Sequence, residues 1–246
     1  MPAKLDDTQY WLKRHVSKGS TLASVGQKSY SDKANYYMYL PVRERYAALL
    51  DQLAFPPGRV RVLDAGGGQG IFLDMFLERG YDVTLADISP TAIESIKARY
   101  GAAVTARACD LSDIPVDQPY DIVHCFDVLY HILDDEKWAK ILETFSRISS
   151  RYIILHERFF SRRPILVSQH IRFRPYSTTT KNLISLGFRE TKSIPTRFWM
   201  GRILTYRLSP LAPELFYRLD RRTLDLLEQW GLNQWGSYQI KVFERD

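Results

Sequence analysis

No apolar run in this chain approaches the roughly 20 residues that a membrane-spanning helix needs. The first fifteen residues, MPAKLDDTQYWLKRH, hold no apolar signal core and no cleavage site, so a cytoplasmic protein is expected. Only two cysteines occur, Cys109 and Cys125, each inside an apolar stretch. They exclude a disulfide framework and read as buried intracellular thiols. No Cys/His cluster has zinc spacing. Internal repeats and low-complexity tracts are missing as well.

What is present is an ordinary globular composition, 45% hydrophobic and 25% charged over 246 residues. That is enough for one large domain, or one domain with an appendage. The net charge of +6 is unevenly spread: residues 151–246 carry 17 Lys and Arg against 8 Asp and Glu. A lopsided field suits an anionic partner near the C-terminal half, and it equally suits plain solubility.

From residue 60 onward, apolar β-rich segments alternate with helical ones. The pattern predicts strands near 60–64, 82–87, 103–107, 120–126 and 151–156, with helices near 69–79, 90–100 and 135–148. Ser89 followed by Pro90, and Asp134 or Asp135 before KWAKIL, supply helix starts. The alternation argues a parallel sheet covered by helices, a doubly wound α/β fold. Beyond it, YSTTTKNLISLGF reads as a helix closed by Gly187, RETKSIP as a strand, PELFYRLDRRTLDLLEQWG as a helix and SYQIKVFER as the last strand. Residues 196–236 read as an insertion before that strand. Residues 1–54 read as an N-terminal helical or lid segment ahead of a domain over 55–246. Within residues 1–40 no clean period emerges, and the first helix is placed at PVRERYAALLDQL, with Pro41 at its start.

The densest signal is VRVLDAGGGQGIF, Val60 to Phe72, which sets four glycines after a strand. Glycine at that density is costly in backbone entropy, so the backbone must come close to something. A strand, a glycine-rich turn and a helix start place free N–H groups toward an anionic or nucleotide ligand. The dinucleotide fingerprint fails, because Ile71 stands where its third glycine belongs. The phosphate-binding loop fails for want of its lysine.

The spacing that fits is D-x-G-x-G-x-G: Asp64, Gly66, Gly68 and Gly70. Here the sequence resembles the class I S-adenosylmethionine-dependent methyltransferases, of the bacterial small-molecule or glycan type. Later stretches follow the same family in order: VTLADIS with Asp87 and Ile88, ARACDLSDIP with Asp110 and Leu111, YDIVHCFDVLYHI with Phe126 and Asp127, and the late HIRFRPYSTTTKNLISLGFRE. The resemblance covers residues 55–195. It implies a Rossmann-like, seven-stranded, mostly parallel sheet with helices on both faces. It also implies S-adenosylmethionine as donor and S-adenosylhomocysteine as product. Asp87 resembles the acid that accepts both ribose hydroxyls, Asp110 the acid at the adenine edge, and Leu111 with Ile88 would sandwich the ring. Asp64 has two roles open to it, bracing the turn or meeting the ligand.

Methyl transfer from a sulfonium rests on alignment and exclusion of water. A base is needed when a hydroxyl is the acceptor. His131 is the candidate base, with a structural role as its alternative; Tyr130 and Asp127 stand second. Tyr30 and Tyr37, with Tyr36, suit a lid over a cation or simple core packing. Arg158, Arg162, Arg163, Arg172 and Arg174 follow the fifth strand, and arginine forks match phosphate or carboxylate. A small-molecule or glycan acceptor, anionic in character, is therefore expected. No metal is expected, because Asp127 lacks the carboxylate partners that metal-dependent catechol-type relatives use. O-methylation leads. N-methylation of an amine or amino sugar, a nucleic-acid methyltransferase and a non-catalytic cofactor-binding scaffold are the alternatives. Nucleic acid is not expected, for want of a base-flipping motif. The arginine- and aromatic-rich 196–236 stretch is compatible with contact to a membrane surface, and monomer and homodimer both remain open.

Overall fold

The computed structural model describes residues 7–19, 21–55, 58–115, 118–158, 163–200, 205 and 207–246. Arg162, one of the candidate arginines, lies outside them. Two helices lead, α1 (Asp7–Lys18) and α2 (Asp32–Leu50). An alternating series follows: β1 (Arg61–Ala65), α3 (Leu73–Glu78), β2 (Asp82–Asp87), α4 (Pro90–Tyr100), β3 (Val104–Ala108), β4 (Tyr120–Phe126), α5 (Asp135–Ile148) and β5 (Ser149–Glu157). A small hairpin, β6 (Ile165–Ser168) and β7 (Ile171–Phe173), precedes α6 (Tyr176–Ser185), β8 (Phe188–Arg197), α7 (Pro213–Gln229) and β9 (Tyr238–Arg245).

Seven strands form one sheet in the order β3-β2-β1-β4-β5-β9-β8. Pairing is parallel from β3 through β5, and β9 runs antiparallel to both neighbours. The chain order reverses at the β1/β4 boundary. In doubly wound sheets that boundary, at the carboxyl ends of the strands, is where ligands bind. Every residue of β1 after Arg61 is buried, as is β4 apart from Asp121. Such near-continuous apolar strands are what a sheet covered on both faces requires. One core cluster joins α2 (Val42, Tyr46, Leu49, Leu50) to β1, β2, α3 and α4; a second joins α5 and α6 to the other face.

Local caps set the element starts. Ser89 accepts from Ala92 N at the start of α4, and Asp134 accepts from Glu136 N and Lys137 N at the start of α5. Gly187 takes φ 84° after α6, a left-handed turn that a Cβ would oppose. Two expectations need correction. Pro41 does not begin a helix: α2 starts at Asp32, where the Ser31 side chain accepts from Ala34 N, and Pro41 lies inside it. The N-terminal segment read as aperiodic contains α1. The β6/β7 hairpin stands outside the alternating pattern of the sequence. Among the described residues no helix is long and apolar enough to cross a membrane.

Candidate active site

The pocket lies at the carboxyl ends of β1, β2 and β4, and its lining includes ten candidates named from sequence: Asp64, Gly66, Gly68, Asp87, Ile88, Asp110, Leu111, Phe126, Asp127 and His131. Gly67 lines it with them. Gly70 does not line it. A Cβ there would meet Leu73 and Ile96 at 2.6 and 2.9 Å, so this glycine serves close packing beneath α4. Gly66 and Gly68 have φ of 76° and 50°, a region that L side chains resist. A Cβ on Gly67 would come within 2.7 Å of Asp64 Oδ2.

The three acids differ in how they are held. Asp87 accepts from Gly68 N at 3.0 Å and from Ser89 N at 2.8 Å, which ties the glycine turn to the end of β2. Burial raises its carboxyl, and the backbone donors and nearby His15 work against that rise. Asp110 caps a short turn by accepting from Ser112 N at 2.9 Å, and its other oxygen meets Lys137 Nζ at 2.5 Å. Asp64 is 2% exposed, and its Oδ2 has no hydrogen-bond partner. Its Oδ1 lies 3.5 Å from His124 Nε2. Burial, with Asp87 second, pushes this carboxyl up to about 7. An unanswered buried acceptor is costly, and here it sits beside a backbone cradle that any side chain would fill. That pairing fits the ammonium of an amino-acid moiety. The two oxygens of Asp87 retain lone pairs for ribose hydroxyls.

His131 lines the pocket and is 7% exposed. Its Nδ1 is 2.7 Å from the His170 carbonyl, in the turn of the β6/β7 hairpin. A carbonyl only accepts, so the proton sits on Nδ1 and Nε2 keeps its lone pair. Burial lowers the imidazole to about 4, so it is neutral at physiological pH. Asp127 follows β4 with φ 59°, the one positive φ among described non-glycine residues. Its Oδ1 meets His156 Nδ1 at 3.1 Å and its Oδ2 meets Arg197 at 3.5 Å. Burial alone would raise this carboxyl, but His156 and the buried guanidinium of Arg197 outweigh it and bring it down to about 2. Burial pushes His156 itself toward neutrality, so Arg197 is the standing charge behind Asp127.

Other candidates lie elsewhere. Tyr130 packs on the His131 and Phe173 rings. Tyr30 is buried with Met38, Tyr39 and Met200, and Tyr37 lies 5.8 Å from the Tyr217 ring. Arg172 and Arg174 both pair with Asp135 at 2.8 Å, and Arg158 lies over Phe173. None of these six lines the pocket. The pocket is also lined by Trp11 and Tyr39, two of the N-terminal aromatics, and by residues that the sequence does not single out: His15 from α1, His124, Val128 and Lys137. Trp11 and His15 stand four apart, one turn of a single helix face, and this was the available signal. Trp11 meets the His131 ring edge-on at 4.7 Å.

The sheet order, the reversed last strand and the glycine turn tied to the acid ending β2 define a nucleotide-type site in a doubly wound fold. The methyltransferase-domain family model matches residues 38–178, and the chain belongs to that family; its fold is that of the class I S-adenosylmethionine-dependent methyltransferases. A ubiquinone biosynthesis O-methyltransferase from Xanthomonas euvesicatoria pv. vesicatoria (strain 85-10) is 30% identical over 99 residues, 38% of this chain and 40% of that protein. The chain thus spans about two fifths of the length of the curated relative it matches. Among solved structures, a magnesium protoporphyrin IX methyltransferase from Synechocystis PCC 6803 with bound S-adenosylmethionine superposes with TM-score 0.65 at 18% identity, covering 100% of both chains. An N-methyltransferase from Bradyrhizobium japonicum WM9 with S-adenosylhomocysteine gives 0.59 at 13%, covering 98% of this chain and 99% of that one. At these identities the likeness is one of fold.

Proposed function

We propose that this protein methylates an oxygen of a small-molecule acceptor, with S-adenosylmethionine as donor and His131 as the base. When bound, the donor supplies a sulfonium-activated methyl group that passes in line to the acceptor, leaving the electron pair on sulfur as S-adenosylhomocysteine. Asp64 would hold its ammonium, Gly66 to Gly68 the amino-acid backbone, Asp87 the ribose, and Ile88 with Leu111 the adenine. Trp11 and His15 close the site from above and exclude water. His131 Nε2 takes the acceptor proton as the oxygen loses it.

The observation that carries the reading is His131: neutral, facing the pocket, and oriented by the His170 carbonyl. General-base assistance contributes roughly 10²–10⁴ in rate for weakly acidic nucleophiles. The test is transfer of labelled methyl to a panel of hydroxyl and amine compounds at saturating donor. His131→Ala should lower kcat at least about a hundredfold on hydroxyl acceptors. In the wild type, kcat should fall only as pH drops through about 4, where the imidazole takes a proton. Unchanged kcat in the variant would remove the base. Turnover restricted to amines would move the reading to N-methylation, which needs little proton abstraction.

A further inference from the structure

The sequence pointed to an anionic acceptor held by arginines after β5. Two of those arginines are drawn into other contacts: Arg172 and Arg174 pair with Asp135 and donate to the Leu133 carbonyl, with Arg174 Nη1 buried and without a hydrogen-bond partner. What faces the pocket beside His131 is a carboxylate, Asp127. It is anchored from three sides. Asp127 N donates to the His156 carbonyl at 2.9 Å. Its oxygens meet His156 Nδ1 and the Arg197 guanidinium. His156 Nε2 in turn meets Thr196 Oγ1 at 2.8 Å.

Arg197 is 4% exposed and does not line the pocket. Its Nε donates to the Met38 carbonyl at 3.3 Å, and it lies 4.6 Å from the Tyr238 ring centroid. The cation therefore stands behind the carboxylate rather than beside the ligand. The backbone at Asp127 occupies a region few non-glycine residues adopt, a cost that persists only where surrounding contacts over-determine it. Those contacts hold one side chain, the carboxylate, at the pocket wall.

We infer that Asp127 is an acceptor subsite: it binds a hydrogen-bond-donating group, a neighbouring hydroxyl or a protonated amine, next to the atom that is methylated. An ionised carboxylate accepts only. It welcomes such donors and repels a carboxylate or phosphate in the same place. The acceptor class is thus a neutral polyol, vicinal diphenol or amino alcohol rather than an acidic metabolite. The inference rests on the proposed methyl transfer, since it assumes that donor and acceptor share this pocket.

The probe is sinefungin, which carries a protonated amine where the donor carries its methyl-sulfonium, so its charge projects toward the acceptor space. S-adenosylhomocysteine, neutral at that position, is its partner. Calorimetry should show sinefungin binding the wild type about tenfold more tightly, close to 1.4 kcal/mol. Asp127→Asn should reduce that preference to within about twofold while leaving S-adenosylhomocysteine affinity little changed. Arg197→Gln removes the charge that holds Asp127 ionised against burial, so it should weaken the preference in the same direction as Asp127→Asn. Equal binding of the two ligands by the wild type overturns the inference. So does a preference that survives in Asp127→Asn. If the wild type binds neither ligand, the donor assignment itself fails and the inference falls with it.

Discussion

Asp64 sits beneath the glycine turn with one carboxylate oxygen unanswered, and its chemistry should be visible in how donor binding depends on pH. With no ligand its carboxyl titrates near 7, because burial and the nearby Asp87 both disfavour the charge. An ammonium partner needs the ionised form. Binding should therefore weaken as pH falls through 7, by roughly tenfold between pH 8 and pH 6 for one linked proton. Asp87 is also raised by burial, but three backbone N–H groups oppose the rise. Asp64→Asn separates the two: the variant should bind S-adenosylhomocysteine more weakly at pH 8 and lose most of the pH slope. A slope unchanged in Asp64→Asn would assign the linked proton to another group and leave Asp64 as a brace for the turn.

At the scale of elements, α1 closes the pocket through few contacts. Its anchor is Arg14, which donates to the Ala23 carbonyl at 2.9 Å and to the Gly26 carbonyl. The Tyr10 ring stacks on His170 at 4.2 Å, and Gln69 reaches His15 at 3.5 Å and the Gly19 carbonyl at 3.3 Å. Hydrogen bonds from a charged group contribute about 1.5–3 kcal/mol, and here they act on one peripheral helix. Arg14→Met should loosen α1 without unfolding the sheet. Amide exchange in α1 should quicken by about tenfold or more, S-adenosylhomocysteine should bind roughly three- to tenfold more weakly, and exchange in β1 and β4 should stay unchanged. Quickened exchange throughout the sheet would instead make α1 part of the global cooperative unit. The same contacts explain what could be read from sequence. Strands β2 and β4 and helices α4 and α5 stand where the pattern predicts them, because alternation and the caps Ser89 and Asp134 are local signals. The start of α2 was misplaced because Pro41 is a familiar first-turn residue and the true cap, Ser31, lies ten residues earlier among aromatics. Of the site, the glycine turn and the acids ending β1 and β2 were legible because they follow strands at fixed spacing. The pairing of Arg172 and Arg174 with Asp135 has no local signal because Asp135 lies far away in the chain, and Arg197 gives none because its place beside Asp127 exists only once β8 is in the sheet.

For the whole molecule, folding redistributes the charge asymmetry seen in the sequence. Arg172, Arg174 and Arg197, all from the basic half, are spent on Asp135 and Asp127 of the acidic half. Arg45 of the acidic half reaches across to Asp225 and Glu228 on α7. The field that suggested an anionic partner is thus partly internal, and association with the pocket should depend on its shape and its acids more than on net charge. A ligand that fills this pocket touches β1, β2, β4, α1 and α2 at once, so it should stabilise the native state as a unit. At a hundredfold excess over Kd, mass action adds about 2.7 kcal/mol. For a domain of this size each kcal/mol raises Tm by roughly 2–4 °C, so S-adenosylhomocysteine should raise the unfolding midpoint by roughly 5–10 °C. NADH at the same concentration should leave it unmoved, because Ile71 lines the pocket where the dinucleotide turn requires glycine. A shift with NADH and none with S-adenosylhomocysteine would contradict the assignment of the glycine turn to a methyl donor, and with it the roles of Asp64 and Asp87 in holding that donor.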